Sequence, residues 1–179
     1  GEDVGVTYLT SVGEAEDALT EAAERGDCAA WVRNTVPDAL DAYHRLAARL
    51  GTERVTLLHA RFTAADRNAK QAELLRRFGP ESTDAERTGH VVVATQVIEQ
   101  SLDVDFDVLV SDLAPVDLLV QRAGRQARHR RGERAKHLHV LGPRPTADPG
   151  ETWYHAMLPR AACVYTDHAA LWRTARLLH

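Results

Sequence analysis

The sequence predicts an α/β protein: a mostly parallel sheet with helices on both faces, followed by a C-terminal helical tail. Short and nearly continuous apolar runs, such as 28–32 and 90–95, are typical of strands that are covered on both faces. Helical patterns lie between these runs, and strands that alternate with helices indicate βαβ units. The length of 179 residues suits one domain with a substantial core and is short for two.

The first third of the chain contains two predicted strands and two predicted helices. The apolar run 4–12 is expected to form an edge strand or an arm, and Ala and Leu at helical spacing over 12–25 predict a helix. Residues 28–32 are expected to form the first covered strand. Thr35 is a preferred N-cap residue, so we expect a second helix from there to Leu50.

The middle of the chain repeats this alternation. A strand is expected at 54–59. Thr63, with Asp66 three residues later, predicts a capped helix that ends near residue 79. Residues 80–89 are polar and are expected to form a surface loop.

Three more strands complete the predicted sheet, at 90–95, 107–112 and 137–141. If the sheet is covered on both faces, the apolar residues of its strands lie in the interior. The side chains expected there are Cys28, Val32, Leu57, Val92 and Val110.

The C-terminal part begins with a turn-rich linker at 142–150 and continues into a predicted helix at 167–178. These patterns predict one domain over 1–145. Residues 146–179 would be a linker and the start of a following helical segment.

Composition narrows the classes of protein. A hydrophobic content of 44% and a charged content of 27% are ordinary for a soluble globular protein. No apolar run approaches the ~20 residues of a membrane helix, so no membrane contact is expected. Cys28 and Cys163 are too few for a disulfide framework, which favours the cytoplasm.

The charges are unevenly distributed along the chain. A net charge of −4, taken alone, argues against a nucleic-acid partner. However, residues 121–136 carry seven Lys or Arg and one acid, Glu133, whereas acids dominate residues 2–24. This asymmetry is typical of a one-sided phosphate-binding surface.

The segment 121–129, Gln-Arg-Ala-Gly-Arg-Gln-Ala-Arg-His, is the most informative stretch. It places Arg122, Arg125 and Arg128 three residues apart, and on a helix this spacing puts them on one face. Guanidinium groups fit phosphate oxygens, so an anion is expected against them. A solvated basic helix face is the alternative interpretation.

A second stretch lies upstream at 94–107, Ala-Thr-Gln-Val-Ile-Glu-Gln-Ser-Leu-Asp-Val-Asp-Phe-Asp. Thr95 is followed by Asp103, and then by the Gln-Arg-x-Gly-Arg-x-x-Arg pattern. The two stretches resemble motifs V and VI of superfamily 2 helicases. The sequence at 94–107 is similar, more narrowly, to the CRISPR-associated helicase–nuclease of type I systems, in which a second RecA-like domain carries both motifs.

The resemblance implies roles at a nucleotide site. Arg125 and Arg128 would be arginine fingers that stabilise charge on the γ-phosphoryl group. Gln121 would sense the γ-phosphate, and Asp103 would face the ribose or the water shell of the metal. Arg122 is expected to pair with an acid inside the domain or to follow the nucleic acid. The complete enzyme of the family uses ATP and Mg²⁺, and neither is expected to bind this chain tightly.

The resemblance also implies a track for single-stranded DNA. Parallel sheets bind ligands at the carboxyl ends of their strands, and the contacts expected there are to phosphates and read no sequence. The candidate DNA-binding residues are Asn34, Thr35, His59, Arg61, Thr95 and Gln96. Thr63 is expected to be a helix cap only, because its capping box explains it.

A metal site is the less favoured interpretation of the nearby carboxylates. Asp103, Asp105 and Asp107 alternate along an extended segment and would share one face. We expect instead that Asp105 and Asp107 fix the turn into the next strand through local hydrogen bonds. The histidines of 129–139 lack zinc-ligand spacing, so no metal ligand is assigned.

The nucleotide site is incomplete in this sequence. It has no Gly-x-x-x-x-Gly-Lys-Ser/Thr loop, no Asp-Glu-x-His strand end and no His-Asp nuclease motif. We therefore expect the second motor domain of an ATP-dependent single-stranded DNA translocase of CRISPR antiviral defence, inactive when isolated. Its expected partners are the first RecA-like domain and the nuclease domain of the parent chain, single-stranded DNA and the CRISPR RNA-guided surveillance complex.

Two alternatives stay open. Another superfamily 2 branch would keep the same chemistry with different partners. A non-catalytic phosphate- or nucleic-acid-binding module would explain the basic segment but not the spacing of Thr95 and Asp103. Ala127 stands where the family usually has glycine, which leaves less room for close approach of a phosphate.

Overall fold

The computed structural model describes residues 4–99 and 102–179. The strands in these ranges are β1 (Val4–Leu9), β2 (Ala29–Val32), β3 (Val55–Leu58), β4 (Val91–Ala94), β5 (Val108–Asp112) and β6 (Lys136–Leu141). They form one six-stranded sheet in the order β1-β6-β5-β2-β4-β3, and every pairing is parallel. The predicted parallel sheet is confirmed.

Helices connect the strands. They are α1 (Val12–Glu24), α2 (Val36–Leu50), α3 (Ala64–Phe78), α4 (Asp84–Arg87), α5 (Val116–Ala123), α6 (Trp153–Met157) and α7 (His168–Leu178). Short 3-10 turns lie at Thr52–Arg54, Gln96–Glu99 and Ala161–Cys163.

Buried side chains form a hydrophobic core on each face of the sheet. On one face, Leu19 of α1 and Leu46 of α2 join Trp31 of β2. On the other, Phe78 of α3 and Leu119 of α5 join residues of the C-terminal helices. The expected interior residues are all buried: Cys28, Val32, Leu57, Val92 and Val110.

Threonine caps begin α2 and α3 as predicted. The hydroxyl of Thr35 accepts a hydrogen bond from the backbone N–H of Asp38 at 3.2 Å. The hydroxyl of Thr63 accepts one from Asp66 at 3.2 Å and donates to its carboxylate at 2.7 Å. These bonds satisfy backbone donors that have no partner within the first turn of a helix.

The N-terminal apolar run forms an edge strand. β1 pairs with β6 in parallel from Val4 opposite Lys136 to Leu9 opposite Leu141. This pairing places the N-terminal segment at the end of the sheet beside the last strand of the chain.

The segment 80–89 differs in part from the predicted loop. It contains α4, which begins with a capping box between Thr83 and Glu86. Arg87 is buried, because its Nη1 donates to the carbonyl of Asp105 at 2.9 Å. This long-range bond fixes a helical turn that a polar sequence alone did not predict.

The C-terminal tail packs on the same core as the sheet. α7 follows the N-cap Asp167, and its Leu171 and Ala175 are buried. α6 was not predicted; its Tyr154 is buried and donates to the carbonyl of Leu113 at 2.8 Å. The domain boundary near residue 145 stays a prediction.

The prediction of one helical face with three arginines is wrong. α5 ends at Ala123, so Arg122 lies in the helix whereas Arg125 and Arg128 lie beyond it. The chain after the helix pairs instead with Phe106, whose N–H donates to the carbonyl of Arg125 at 2.9 Å. This backbone pairing replaces the continuing helix.

Candidate functional site

The carboxyl ends of β2, β4 and β3 bring the predicted DNA-binding residues to one rim. The strands are neighbours in the sheet and end in register. Just beyond them, the N–H of Thr95 donates to the carbonyl of Leu58 at 3.1 Å, and the N–H of Arg33 donates to that of Ala94 at 2.8 Å. Asn34, which follows Arg33, therefore shares this carboxyl rim with Thr95.

Asp112, at the end of β5, is the centre of a buried network on this rim. Its carboxylate accepts hydrogen bonds from Arg33 Nε at 2.9 Å, from Trp31 Nε1 at 3.1 Å and from the N–H of Asn34 at 3.1 Å. Because the carboxylate is fully buried, these three donors replace the water that it would otherwise bind.

Asn34 is held inside the protein by both ends of its amide. Nδ2 donates to the carbonyl of Leu113 at 2.8 Å and to the hydroxyl of Tyr154 at 3.1 Å, and Oδ1 accepts from Arg122 at 3.2 Å. The residue is 2% exposed. A DNA contact by this side chain would require these bonds to break, and the DNA contact of Asn34 stays a prediction.

Arg122 lies in the same network and is fully buried. Its Nε donates to Glu99 Oε1 at 2.6 Å, and Nη1 donates to Ser111 Oγ at 2.9 Å and to the carbonyl of Asp112 at 3.2 Å. The predicted pairing with an acid inside the domain is confirmed. The bond to Glu99 thus connects the stretch 121–129, which resembles motif VI, to the stretch 94–107, which resembles motif V.

The other rim residues differ in their access to solvent. His59 is buried and stacks on Phe62 with ring centroids 4.0 Å apart, and burial lowers the pKa of its imidazole. Thr95 is buried, Thr35 and Gln96 are partly buried, and Arg61 is exposed. Arg61 therefore offers the most accessible positive charge of the predicted set.

The predicted nucleotide residues meet at a different place. Arg128 Nε donates to Asp103 Oδ1 at 2.6 Å, and His129 Nε2 lies 3.0 Å from the same oxygen. The side chains of Arg128 and Asp103 are 45% and 50% exposed. The hydrogen bonds from His129 and then Arg128 hold the pKa of Asp103 below its usual value, so the carboxylate is ionised at neutral pH. We call Asp103 and Arg128 the exposed pair.

Arg125 links the two motifs next to the exposed pair. Its guanidinium donates to the backbone carbonyl of Leu102 and to that of Glu99, the latter at 2.9 Å. Burial lowers the pKa of Arg125, and the charge of Arg128 lowers it further. A guanidinium has five N–H donors, so donors remain beyond these two bonds. Gln121 is exposed in the last turn of α5.

Asp105, which is buried, and Asp107, which is partly buried, belong to one ion cluster, and the prediction of local turn bonds for them is wrong. Asp105 accepts from the N–H of Arg128 at 2.8 Å and from Arg134 Nη2 at 2.7 Å. Asp107 accepts from Arg134 Nη1 at 2.7 Å and from the N–H of Cys28 at 2.9 Å. Burial, with the charge of Asp107, raises the pKa of the Cys28 thiol to about 12. Arginines distant in sequence hold these carboxylates, and residue spacing gave no signal for such partners.

Within residues 4–99 and 102–179, no group of three or more His, Cys, Asp or Glu side chains is placed to hold a metal ion. In the same ranges, every helix is too short or too polar to cross a membrane.

The parallel sheet, covered on both faces, and the meeting of motifs V and VI at the exposed pair define a RecA-like helicase domain. Comparison with known proteins identifies it further. The chain belongs to the family of the CRISPR-associated nuclease/helicase Cas3, C-terminal, whose model matches residues 25–131. It is a Cas3 C-terminal helicase domain, as the sequence predicted.

Relatives and solved structures agree with this assignment. The chain is 38% identical over 130 residues to the CRISPR-associated nuclease/helicase Cas3 of Streptococcus thermophilus. This alignment covers 70% of the chain and 14% of that protein. It is 35% identical over 159 residues to the CRISPR-associated endonuclease/helicase Cas3 of Escherichia coli. This alignment covers 88% of the chain and 17% of that protein. The chain is also similar to the crystal structure of T. fusca Cas3-ATP, with a TM-score of 0.82 and 34% sequence identity. The superposition covers 99% of this chain and 22% of the T. fusca chain. The chain thus spans less than a fifth of the length of these two curated relatives.

Proposed function

We propose that this domain is the second motor domain of an ATP-dependent translocase or helicase that moves on single-stranded DNA in CRISPR antiviral defence. The observation that carries the proposal is the exposed pair. Arg122, which belongs to the same motif as Arg128, is fully buried, whereas Arg128 presents a half-exposed guanidinium beside Asp103. A half-exposed guanidinium is suited to an anion that approaches from outside the domain.

The chemistry of the pair allows an exchange of partners. An exposed ion pair contributes only about 0–1 kcal/mol, so Arg128 can leave Asp103 for a phosphate oxygen at little cost. Arg125 would bind the γ-phosphoryl group with its remaining donors, and Gln121 would sense that group. Arginine fingers contact negative charge that develops in the transition state, so both arginines would act mainly on turnover.

The donor set fits ATP and Mg²⁺ as they would bind in the complete enzyme. Guanidinium donors of Arg125 and Arg128 match phosphate oxygens, and the ionised carboxylate of Asp103 suits a ribose hydroxyl or the water shell of the metal. The bound Mg²⁺ would supply positive charge against the phosphates. The residues of this chain would hold one side of the nucleotide.

The remaining side of the site would come from the first RecA-like domain, because this sequence lacks a phosphate-binding loop. We therefore expect no steady-state ATP hydrolysis from the isolated chain. The measurement is phosphate release by the purified chain, with and without single-stranded DNA. ATP hydrolysis that copurifies with the chain and persists after contaminants are removed would contradict the proposal that this chain forms only one side of the nucleotide site.

The other proposed partners follow from the family. The homologues are fused nuclease/helicases, so a nuclease domain of the same parent protein is a proposed neighbour. One similar structure is a CRISPR RNA-guided surveillance complex, pre-nicking, which matches 98% of the chain with a TM-score of 0.68. It supports the proposal that a surveillance complex recruits the parent protein. The proposed place of this recruitment is the cytoplasm, as the low cysteine content favours.

The arginine-finger role is tested in the complete enzyme. Arg125→Ala and Arg125→Lys should both cut ATP turnover by about 10³-fold or more at saturating DNA, with nucleotide and DNA binding largely retained. Lys should rescue poorly because it lacks the planar fork of arginine. Arg130→Ala, an exposed arginine outside the motif, is the matched control and should turn over normally. Normal hydrolysis by Arg125→Ala would refute the proposal.

The DNA track is tested by salt dependence. Binding of single-stranded DNA should weaken linearly on a log–log plot against salt, and Arg61→Ala should reduce the slope by about 0.7 if Arg61 contacts one phosphate. Arg25→Ala is the control, because Arg25 is exposed but precedes β2 and so lies at the opposite end of the sheet. An equal effect of both substitutions would show that the contact is not on the carboxyl rim.

A further inference from the structure

The backbone that carries Arg128 is anchored on both sides, although its side chain is half exposed. On one side, Asp105 Oδ1 accepts the N–H of Arg128 at 2.8 Å. On the other side, Arg134 Nη2 donates to the carbonyl of His129 at 2.8 Å. The peptide units before and after the Arg128–His129 bond are therefore both fixed.

Both anchors belong to one ion cluster. Arg134 Nη2 donates to Asp105 Oδ2 at 2.7 Å, and Nη1 donates to Asp107 Oδ1 at 2.7 Å, so one planar guanidinium bridges two carboxylates. Asp105 is fully buried, and Arg87 Nη2 also donates to it at 3.4 Å. Bridging of this kind needs the fork geometry of arginine, which an ammonium group lacks.

The loop 127–134 is held in a strained shape by these bonds. Ala127 has a φ of +44°, in the left-handed region that costs a residue with a Cβ about 1–2 kcal/mol. Arg131 ties the far side of the loop down, because its Nη2 donates to the carbonyl of Gly79 at 3.0 Å and to Ser82 Oγ at 2.8 Å. Backbone strain of this kind persists only where the surroundings enforce it.

We propose that Asp105 and Arg134 are positioning residues for Arg128: together they fix the backbone on both sides of this arginine, so that its exposed guanidinium needs little reorganisation to reach a phosphate. The inference rests on the proposed function, in which Arg128 is an arginine finger. Neither residue needs to contact the nucleotide, since each acts through the backbone of 128–129. Placement matters because a displacement of about 1 Å at a reacting group can cost about 10²-fold in rate.

The first test is Arg134→Lys in the complete enzyme with saturating single-stranded DNA. Lysine keeps the charge but cannot bridge Asp105, Asp107 and the carbonyl of His129 at once. The kcat for ATP should fall about 10- to 100-fold, while the KM for ATP and the melting temperature stay near those of the parent. Arg130→Lys, in the same loop but exposed, is the control and should leave kcat unchanged. A normal kcat for Arg134→Lys would overturn the inference.

A double-mutant cycle separates positioning from a general structural role. If Arg134 acts through Arg128, adding Arg134→Lys to Arg128→Ala should cause no further loss of kcat. Multiplied losses would show that Arg134 acts elsewhere and would overturn the inference. Asp105→Asn, which removes the charge that binds Arg134, is the second variant, and its loss should likewise disappear in the Arg128→Ala background.

The cycle also separates the two proposals. If Arg128→Ala itself hydrolyses ATP normally, the role of Arg128 as a finger is wrong and the positioning role falls with it. If Arg128→Ala is inactive but Arg134→Lys and Asp105→Asn are normal, the finger stands and only the positioning inference fails.

Discussion

Two arginines of one motif form the same bond in opposite surroundings. Arg122 Nε lies 2.6 Å from Glu99 Oε1, and Arg128 Nε lies 2.6 Å from Asp103 Oδ1. However, the side chain of Arg122 is completely buried and that of Arg128 is 45% exposed. The bond lengths are equal, so the environment alone distinguishes a structural arginine from one that can change partners.

The physical reason is the cost of an unpaired charge. When one partner of a buried ion pair is removed, the other charge is stranded without water, at about 3–5 kcal/mol. At the surface, water replaces the lost partner, and exposed pairs are worth about 0–1 kcal/mol. The buried network around Arg122 must therefore stay closed, whereas the exposed pair can open for a ligand.

The largest expected effect tests this contrast directly. Arg122→Ala should lower the free energy of unfolding by about 3–5 kcal/mol, because it leaves the carboxylate of Glu99 without its ion-pair partner. Arg128→Ala should lower it by less than about 1 kcal/mol. Urea unfolding of the chain at neutral pH, followed by circular dichroism, measures both. Similar losses for the two variants would mean that burial does not separate their roles.

A second prediction sharpens the contrast at the carboxyl rim. Asn34→Ala should cost about 1–3 kcal/mol of stability, because it removes an acceptor of Arg122 and leaves buried polar groups without a partner. Arg61→Ala changes an exposed residue and should alter stability by less than about 0.5 kcal/mol. If Asn34→Ala weakens DNA binding and leaves the unfolding curve unchanged, Asn34 is a DNA contact and not a part of the network.

A third prediction uses pH. His90 is buried and bonded to Thr56, and burial, with the charges of Arg77 and Arg54, lowers its pKa to about 4. The folded-state pKa lies below the value of about 6.5 in the unfolded chain, so the unfolded chain binds more protons between these values. Stability should therefore fall as the pH decreases from 6.5 to 4.

The control for the pH effect is built on an exposed histidine. His90→Gln should flatten the dependence of unfolding free energy on pH in that window, whereas His155→Gln, at an exposed position, should leave it unchanged. His59 and His139 also have pKa values lowered by burial, so part of the slope should remain in His90→Gln. Equal slopes for the parent chain and His90→Gln would contradict the prediction.

The smallest expected effect concerns the strained loop beside the exposed pair. Ala127→Gly removes left-handed backbone strain of about 1–2 kcal/mol. It also raises the conformational entropy of the unfolded chain, which lowers the stability of the folded state by about 0.4–1 kcal/mol. A net gain of between about 0 and 1.6 kcal/mol is expected. Ala135→Gly, directly after this loop at a position whose φ is not positive, should lose stability. A loss at 127 equal to that at 135 would show that the loop is not strained.

Much of the fold could be predicted from local patterns. The covered strands, the threonine caps of α2 and α3 and the interior position of residues such as Val92 depend on neighbours within a few residues, and such signals survive in a single sequence. The end of α5 could not be predicted, because the backbone of Arg125 pairs with Phe106 instead of continuing the helix. Long-range backbone pairing overrides local helix spacing.

The site was predicted as a set of residues but not as an arrangement. The spacing of the two motifs selected Asp103 and Arg128, which the structure brings together. It also grouped Arg122 with Arg125 and Arg128, although Arg122 is buried. Asp105 was recognised only as a turn residue, since its partner Arg134 lies 29 residues further along the chain.

The sequence by itself determined the class of fold, the family and the identities of the motif residues, because apolar periodicity, caps and motif spacing are local in the chain. Only the tertiary structure decided which arginine is sealed and which faces solvent. Burial depends on residues that the chain brings together from far apart: Arg122 bonds to Asn34 across 88 positions, and Arg128 to Asp103 across 25. A guanidinium becomes structural where such partners exclude water, and it can exchange its partner for a ligand where water remains.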